Sequence, residues 1–95
     1  MASSRTLVDD DRFRIVEWMI EPGDAIEMHT HPLDYAVLPL ERAVMWAVLP
    51  DGEELEVRLT PGEAYTRAAG AAHRMENRGT ARVVFTEVEA KAPTA

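Results

Sequence analysis

Hydrophobic and polar residues alternate in short runs along this chain, and each run ends at a turn-forming residue or pair. Pro22-Gly23, Asp51-Gly52, Pro61-Gly62, Gly70 and Arg78-Gly79 supply the breaks. Between them lie segments rich in Val, Ile, Leu, Tyr, Trp and Phe, the residues that suit a pleated, half-buried surface. Many short strands at this spacing predict an all-β sandwich or barrel. The segments read as strands are Phe13–Ile20, Ala25–His31, Tyr35–Leu40, Ala43–Leu49, Leu55–Leu59, Ala64–Arg67, His73–Glu76 and Arg82–Glu89. Asp51-Gly52 predicts a hairpin between the fourth and fifth, because Asp-Gly tolerates the positive φ angles of a type I′ turn. Pro39 has no N–H to give to a ladder, which places it at an edge or a bulge. The Ala-rich "TRAAGAAH" carries helical propensity, but Gly70 at its centre and its β-rich flanks make it a loop. No helix is expected. At 95 residues the chain reads as a single domain with its core over about 12–90 and loose ends at 1–8 and 91–95.

Charge narrows the choice of partner. Seventeen acidic residues outnumber ten scattered basic ones, for a formal net charge of -7. A duplex-binding protein carries a basic patch, so nucleic acid is set aside, and an anionic membrane surface with it. The absence of cysteine removes disulfides, thiolate catalysis and zinc-finger chemistry, and fits a cytoplasmic location. "MASSRTLVDDDRFR" has no apolar h-region and does not read as a signal peptide. No apolar run reaches transmembrane length.

The chemistry concentrates in "EMHTHPLDYAV", Glu27 to Val37. On a strand, residues i and i+2 share a face, so His29 and His31 point the same way. Neutral imidazole is the commonest metal-binding side chain, and His73 begins a later strand. Taken alone, a His-x-His pair is as often two exposed histidines as two ligands, since tight sites need three or more donors.

The surroundings resemble the cupin family. Its first motif is Gly, five residues, His-x-His, three or four residues, Glu, six residues, Gly. Here Gly23 is followed by "DAIEM" and then His29-Thr30-His31. The Glu position falls on Tyr35 or Ala36 and the closing Gly on Arg42 or Ala43, so both are replaced. The second motif is Gly, five residues, Pro-x-Gly, two residues, His, three residues, Asn. It matches Gly62, "EAYTR", Ala68-Ala69-Gly70, "AA", His73, "RME" and Asn77, with only the Pro changed, to Ala68. All three histidines of the chain stand at the motif's histidine positions. "EWMIEPGDAIEMHTHPLDYAVLPL" and the closing "FTEVEAK" are similar to a subgroup of small single-domain cupins, some of them accessory proteins of β-alanine degradation.

The resemblance implies a small antiparallel double-sheet jelly-roll barrel. It also implies one divalent transition metal ion, Fe, Ni, Zn or Mn, held by His29, His31 and His73. Three neutral imidazoles leave both positive charges of such an ion uncompensated, which favours a small, anionic ligand. The implied activity is dioxygenase-type, or isomerase or hydrolytic chemistry, and a non-catalytic metabolite-binding or accessory module is the alternative. A homodimer is expected, since open sheet edges need covering.

Most neighbouring residues have more than one reading. Tyr35 is a general acid or hydrogen-bond donor, or a half-buried strand aromatic. Asp34 holds a histidine ring in place, or closes a turn after Pro32. Glu27 shares parity with His29 and His31 if no bulge intervenes, which makes it a carboxylate near the site, or else it stands at the barrel mouth. Met75 shares parity with His73 and lines the pocket or fills core. Trp46 is a pocket or core aromatic, or else lies at a dimer interface. Arg67 clamps an anionic substrate, whereas Arg74 alternates away from His73 towards solvent. Asn77 has a structural hydrogen-bonding role.

Overall fold

In the computed structural model, which describes residues 2–91, the turn signals separate nine strands among the described residues. They are β1 (Ser3–Asp9), β2 (Phe13–Ile20), β3 (Ala25–Thr30), β4 (Asp34–Pro39), β5 (Ala43–Val48), β6 (Glu54–Leu59), β7 (Tyr65–Arg67), β8 (Ala72–Glu76) and β9 (Val83–Ala90). They form two antiparallel sheets, one in the order β1-β2-β9-β4-β7 and the other β3-β8-β5-β6. This is the expected double-sheet jelly roll. Eight strands match the alternation in the sequence to within a residue or so at each end.

β1 corrects the expectation of a loose end at 1–8. It pairs along β2 from Ser3↔Met19 to Asp9↔Arg14. Every one of its residues is exposed, so it has no buried face to write an apolar alternation into the sequence. Lys91 is tied back too, through a 2.6 Å ion pair with Asp9, while 92–95 lie outside the described residues.

The Asp51-Gly52 hairpin forms between β5 and β6, but its turn is not type I′. Gly52 alone has positive φ, at 90°; Asp51 does not. The Gly52 N–H donates to the Leu49 carbonyl at 2.9 Å, and the Leu49 N–H to Glu53 at 2.8 Å. This is the three-residue loop of a type I turn closed by a left-handed glycine. Pro50 fixes φ for the first corner, so the turn starts one residue earlier than Asp-Gly alone suggests.

Pro39 stands where β4 has lost a partner. β7 pairs only with Tyr35, Ala36 and Val37, so the prolyl nitrogen meets no ladder on that side. The other side of β4 continues on β9, through Pro39↔Phe85.

The inward faces of both sheets meet in a core of Ile20, Val37, Met45, Leu59, Val83 and Phe85. Asn77 pins one end of it. Its side-chain amide donates to the carbonyls of Ile20 (2.8 Å) and Ala81 (2.9 Å), and its oxygen accepts from the Gly79 N–H (3.0 Å). That one side chain ties the end of β8 to β2 and to the approach to β9. Among the described residues no helix is long and apolar enough to cross a membrane.

Candidate metal centre

The ladder between β3 and β8 passes from Ile26↔Met75 to His29↔His73, so β3 carries one residue more than its partner between those pairs. This bulge breaks the parity that linked Glu27 to the histidines, and corrects the expectation of a Glu27 carboxylate near the site. The Glu27 carboxylate faces outward and pairs with Arg74 at 2.6 Å. Its backbone carbonyl, in contrast, lies 2.7 Å from His29 Nδ1.

His31, just past β3, is clamped by the loop before β8. Its N–H donates to Ala71 (2.9 Å) and its carbonyl accepts from Gly70 (2.8 Å). Gly70 sits at φ 96°, which the clamp requires and which other residues rarely adopt. Asp34 holds this same loop, accepting from the Ala69 N–H at 2.7 Å, rather than touching a histidine ring.

The three imidazoles converge on one point. His29 Nε2 and His31 Nε2 are 2.9 Å apart, and His31 Nε2 and His73 Nε2 are 3.1 Å apart. One nitrogen from each ring lies within 4.8 Å of the others. A carbonyl oxygen can only accept, so the proton of neutral His29 is on Nδ1 and its Nε2 presents a lone pair. Glu87 Oε1 lies 3.9 Å from His31 Nδ1. Converging Nε2 atoms suit a shared cation.

Burial, then repulsion from His29 and His73, lowers His31 to about 4. Burial, then His29 and Arg67, lowers His73 to about 4. Both are neutral at pH 7, the form that binds metal. Nitrogens about 2.0–2.1 Å from one ion, at right angles, would stand about 2.9 Å apart. The donor set therefore fits a divalent transition-metal ion.

Tyr35 occupies the motif's glutamate position and is buried. Its ring stacks on His31, with centroids 3.9 Å apart and planes 23° apart. Its hydroxyl is buried without a hydrogen-bond partner among the described residues. Burial, then the Glu87 carboxylate, pushes its pKa up to about 12, so the phenol keeps its proton and can donate.

The carboxylate nearest the histidines was not foreseen. Glu87, on β9, is buried beside His31. Burial, then repulsion from Glu89, raises it to about 7. The signal was present in the sequence: Val83, Phe85, Glu87 and Glu89 share one face, and the first two are core.

A cavity of about 240 Å³ fills the barrel beside these groups, with His73 and Met75 on one wall and Tyr35 and Glu87 on the other. Exposed Arg67 stands at its rim, its guanidinium 4.6 Å from the Tyr65 ring centroid. Trp46 does not line it, which corrects that expectation. Its neighbours Met45 and Ala47 point into the core, so alternation turns Trp46 outward, where Arg78 covers it at 5.0 Å. Arg74 lies on the outer face with Glu27 and Glu76.

Comparison with known proteins agrees with the jelly-roll fold. The chain is 36% identical over 84 residues to the β-alanine degradation protein BauB of Pseudomonas aeruginosa, covering 88% of this chain and 87% of that one. The crystal structure of a cupin domain from Bordetella pertussis superposes with a TM-score of 0.91 at 33% identity, over 96% of this chain and 94% of that one. The polyketide cyclase RemF of Streptomyces resistomycificus superposes with a TM-score of 0.76 at 29% identity, over 96% of this chain and 66% of that one. No family model matches the chain.

Proposed function

This chain belongs to the cupin family, and from that premise we propose that it is a small metalloenzyme. In this reading one divalent transition-metal ion (Fe, Ni, Zn or Mn) is held by His29, His31 and His73, and the protein acts on a small anionic metabolite. The observation that carries this reading is the convergence of three imidazoles, two of their N···N separations at 2.9 and 3.1 Å. When bound, the ion would supply Lewis-acid polarisation of a coordinated oxygen, or redox chemistry if it is iron.

The remaining roles belong to the chain. The Glu27 carbonyl holds His29 in the tautomer that exposes Nε2. Tyr35 braces the His31 ring and offers a proton to a ligand oxygen. Glu87 faces the cavity and is the group placed to take or return a proton. The sequence offers no obvious acid–base group beside the histidines. Glu87 supplies one, and this favours an enzyme over a non-catalytic binding module.

The test is elemental analysis of untagged protein, followed by a turnover and oxygen-consumption screen with small carboxylates. About one metal ion per chain, lost together with turnover in His73→Ala, is the expected result. Full metal content and activity in that variant would overturn the reading.

The same proposal includes a cytoplasmic homodimer. The outward face of the first sheet exposes Val8 on edge strand β1, Phe13 on β2 and Leu38 on β4, and a second copy would cover them. A monomer by light scattering at micromolar concentration would contradict it.

A further inference from the structure

The walls of the barrel carry information about the body of the ligand. Apart from His73, Tyr35, Glu87 and the rim residues Tyr65 and Arg67, the cavity is apolar, with Val37, Met45, Ala47, Val57, Met75 and Phe85 as its principal surfaces. Its 240 Å³ equals about eight waters of liquid volume at roughly 30 Å³ each, room for on the order of ten non-hydrogen atoms. A polar ligand small enough to sit wholly at the histidine end would leave these walls facing water or empty space.

The Tyr35 hydroxyl adds a second constraint. It is buried in the cavity lining and has no acceptor among the described residues. A buried donor without a partner costs about 1–3 kcal/mol, which a ligand oxygen at that point would recover. At the rim, Arg67 attracts an acid group on its way in.

We propose that the cavity takes an acid with a hydrocarbon body, its carboxylate or enolate head at the His73 end. A carbonyl or hydroxyl oxygen near the head accepts from Tyr35, and about four to six carbons lie against Met45, Val57 and Phe85. This rests on the metalloenzyme reading above and names the substrate class for that same site. A compact amino acid makes the opposite demand: it would leave the apolar walls uncovered.

The experiment is calorimetry on the full chain, in two steps. Zinc is titrated first into metal-stripped protein. Then 4-methyl-2-oxopentanoate, a branched 2-oxo acid, and β-alanine are each titrated into the zinc-loaded form. The proposal expects the 2-oxo acid to bind at least about tenfold more tightly than β-alanine. Tyr35→Phe keeps the ring against His31, so zinc uptake should be unchanged while 2-oxo acid affinity falls about tenfold. Ala47→Phe, which fills the cavity, should abolish acid binding with zinc retained. Failure of zinc to bind would overturn the metalloenzyme reading and this proposal together. Zinc uptake with β-alanine equal or tighter, or with Tyr35→Phe leaving the 2-oxo acid unaffected, would overturn this proposal alone.

Discussion

Replacing Asn77 should unfasten the barrel at one end without touching a histidine. The side chain is 2% exposed and makes three hydrogen bonds, to the Ile20 and Ala81 carbonyls and from the Gly79 N–H. Each is worth about 1 kcal/mol net. In Asn77→Ala the partners at Gly79 and Ala81 lie near the surface and regain water, whereas the bond to Ile20 is buried and its carbonyl does not. The sum is about 3–4 kcal/mol, a large part of the stability of a domain this size. At about 4–8 °C per kcal/mol for such a domain, the melting temperature should fall by at least about 12 °C, read by circular dichroism on metal-stripped protein. Asn77→Asp is the sharper variant. It keeps the shape but turns an oxygen towards two carbonyl oxygens, so at pH 7 it should be less stable than Asn77→Ala. Acid should narrow the gap by restoring a donor. A melting shift below about 4 °C for Asn77→Ala, or wild-type stability for Asn77→Asp at pH 7, would refute the reasoning.

Three further outcomes are expected. Metal-stripped protein should lose stability as the pH falls from about 6.5 towards 4, because the fold keeps His31 and His73 neutral while the unfolded chain takes up protons; urea titrations across that range measure it, and a flat profile would contradict it. Glu87 has the opposite sign: its folded pKa is raised from 4.5 to about 7, so its ionisation costs stability as the pH rises through that interval. Metal-stripped Glu87→Gln should therefore be more stable than the parent by about 3 kcal/mol at pH 8 and equal to it near pH 4, in the same urea titrations. Trp46→Phe changes only the outer face, so acid binding to the zinc-loaded protein should stay within about twofold of the parent by calorimetry.

Where a strand buries one face, its sequence announces it. β2, β4, β5 and β9 each alternate against the core, and their expected bounds lie within about a residue of those observed. β1 buries neither face and so left no pattern to find. The three histidines were legible because two motifs fix their places, although His31 and His73 stand 42 positions apart. What the sequence hid was parity. The bulge before His29 turns Glu27 outward, and the inward neighbours of Trp46 turn it outward as well. Glu87 was hidden differently: strand alternation places it inward, but an acid on an apolar face is easily read as a solvated residue. Tyr35 was legible as a departure from the motif, while its stacking on His31 and its partnerless hydroxyl depend on packing between strands far apart in the chain.

The central claim is that His29, His31 and His73 share one ion. X-ray absorption at the metal edge of the zinc-loaded protein measures this directly. Three imidazole nitrogens at about 2.0–2.1 Å, falling to two in His73→Ala, are the predicted result. A zinc shell with no imidazole contribution, or one unchanged in His73→Ala, would contradict the account.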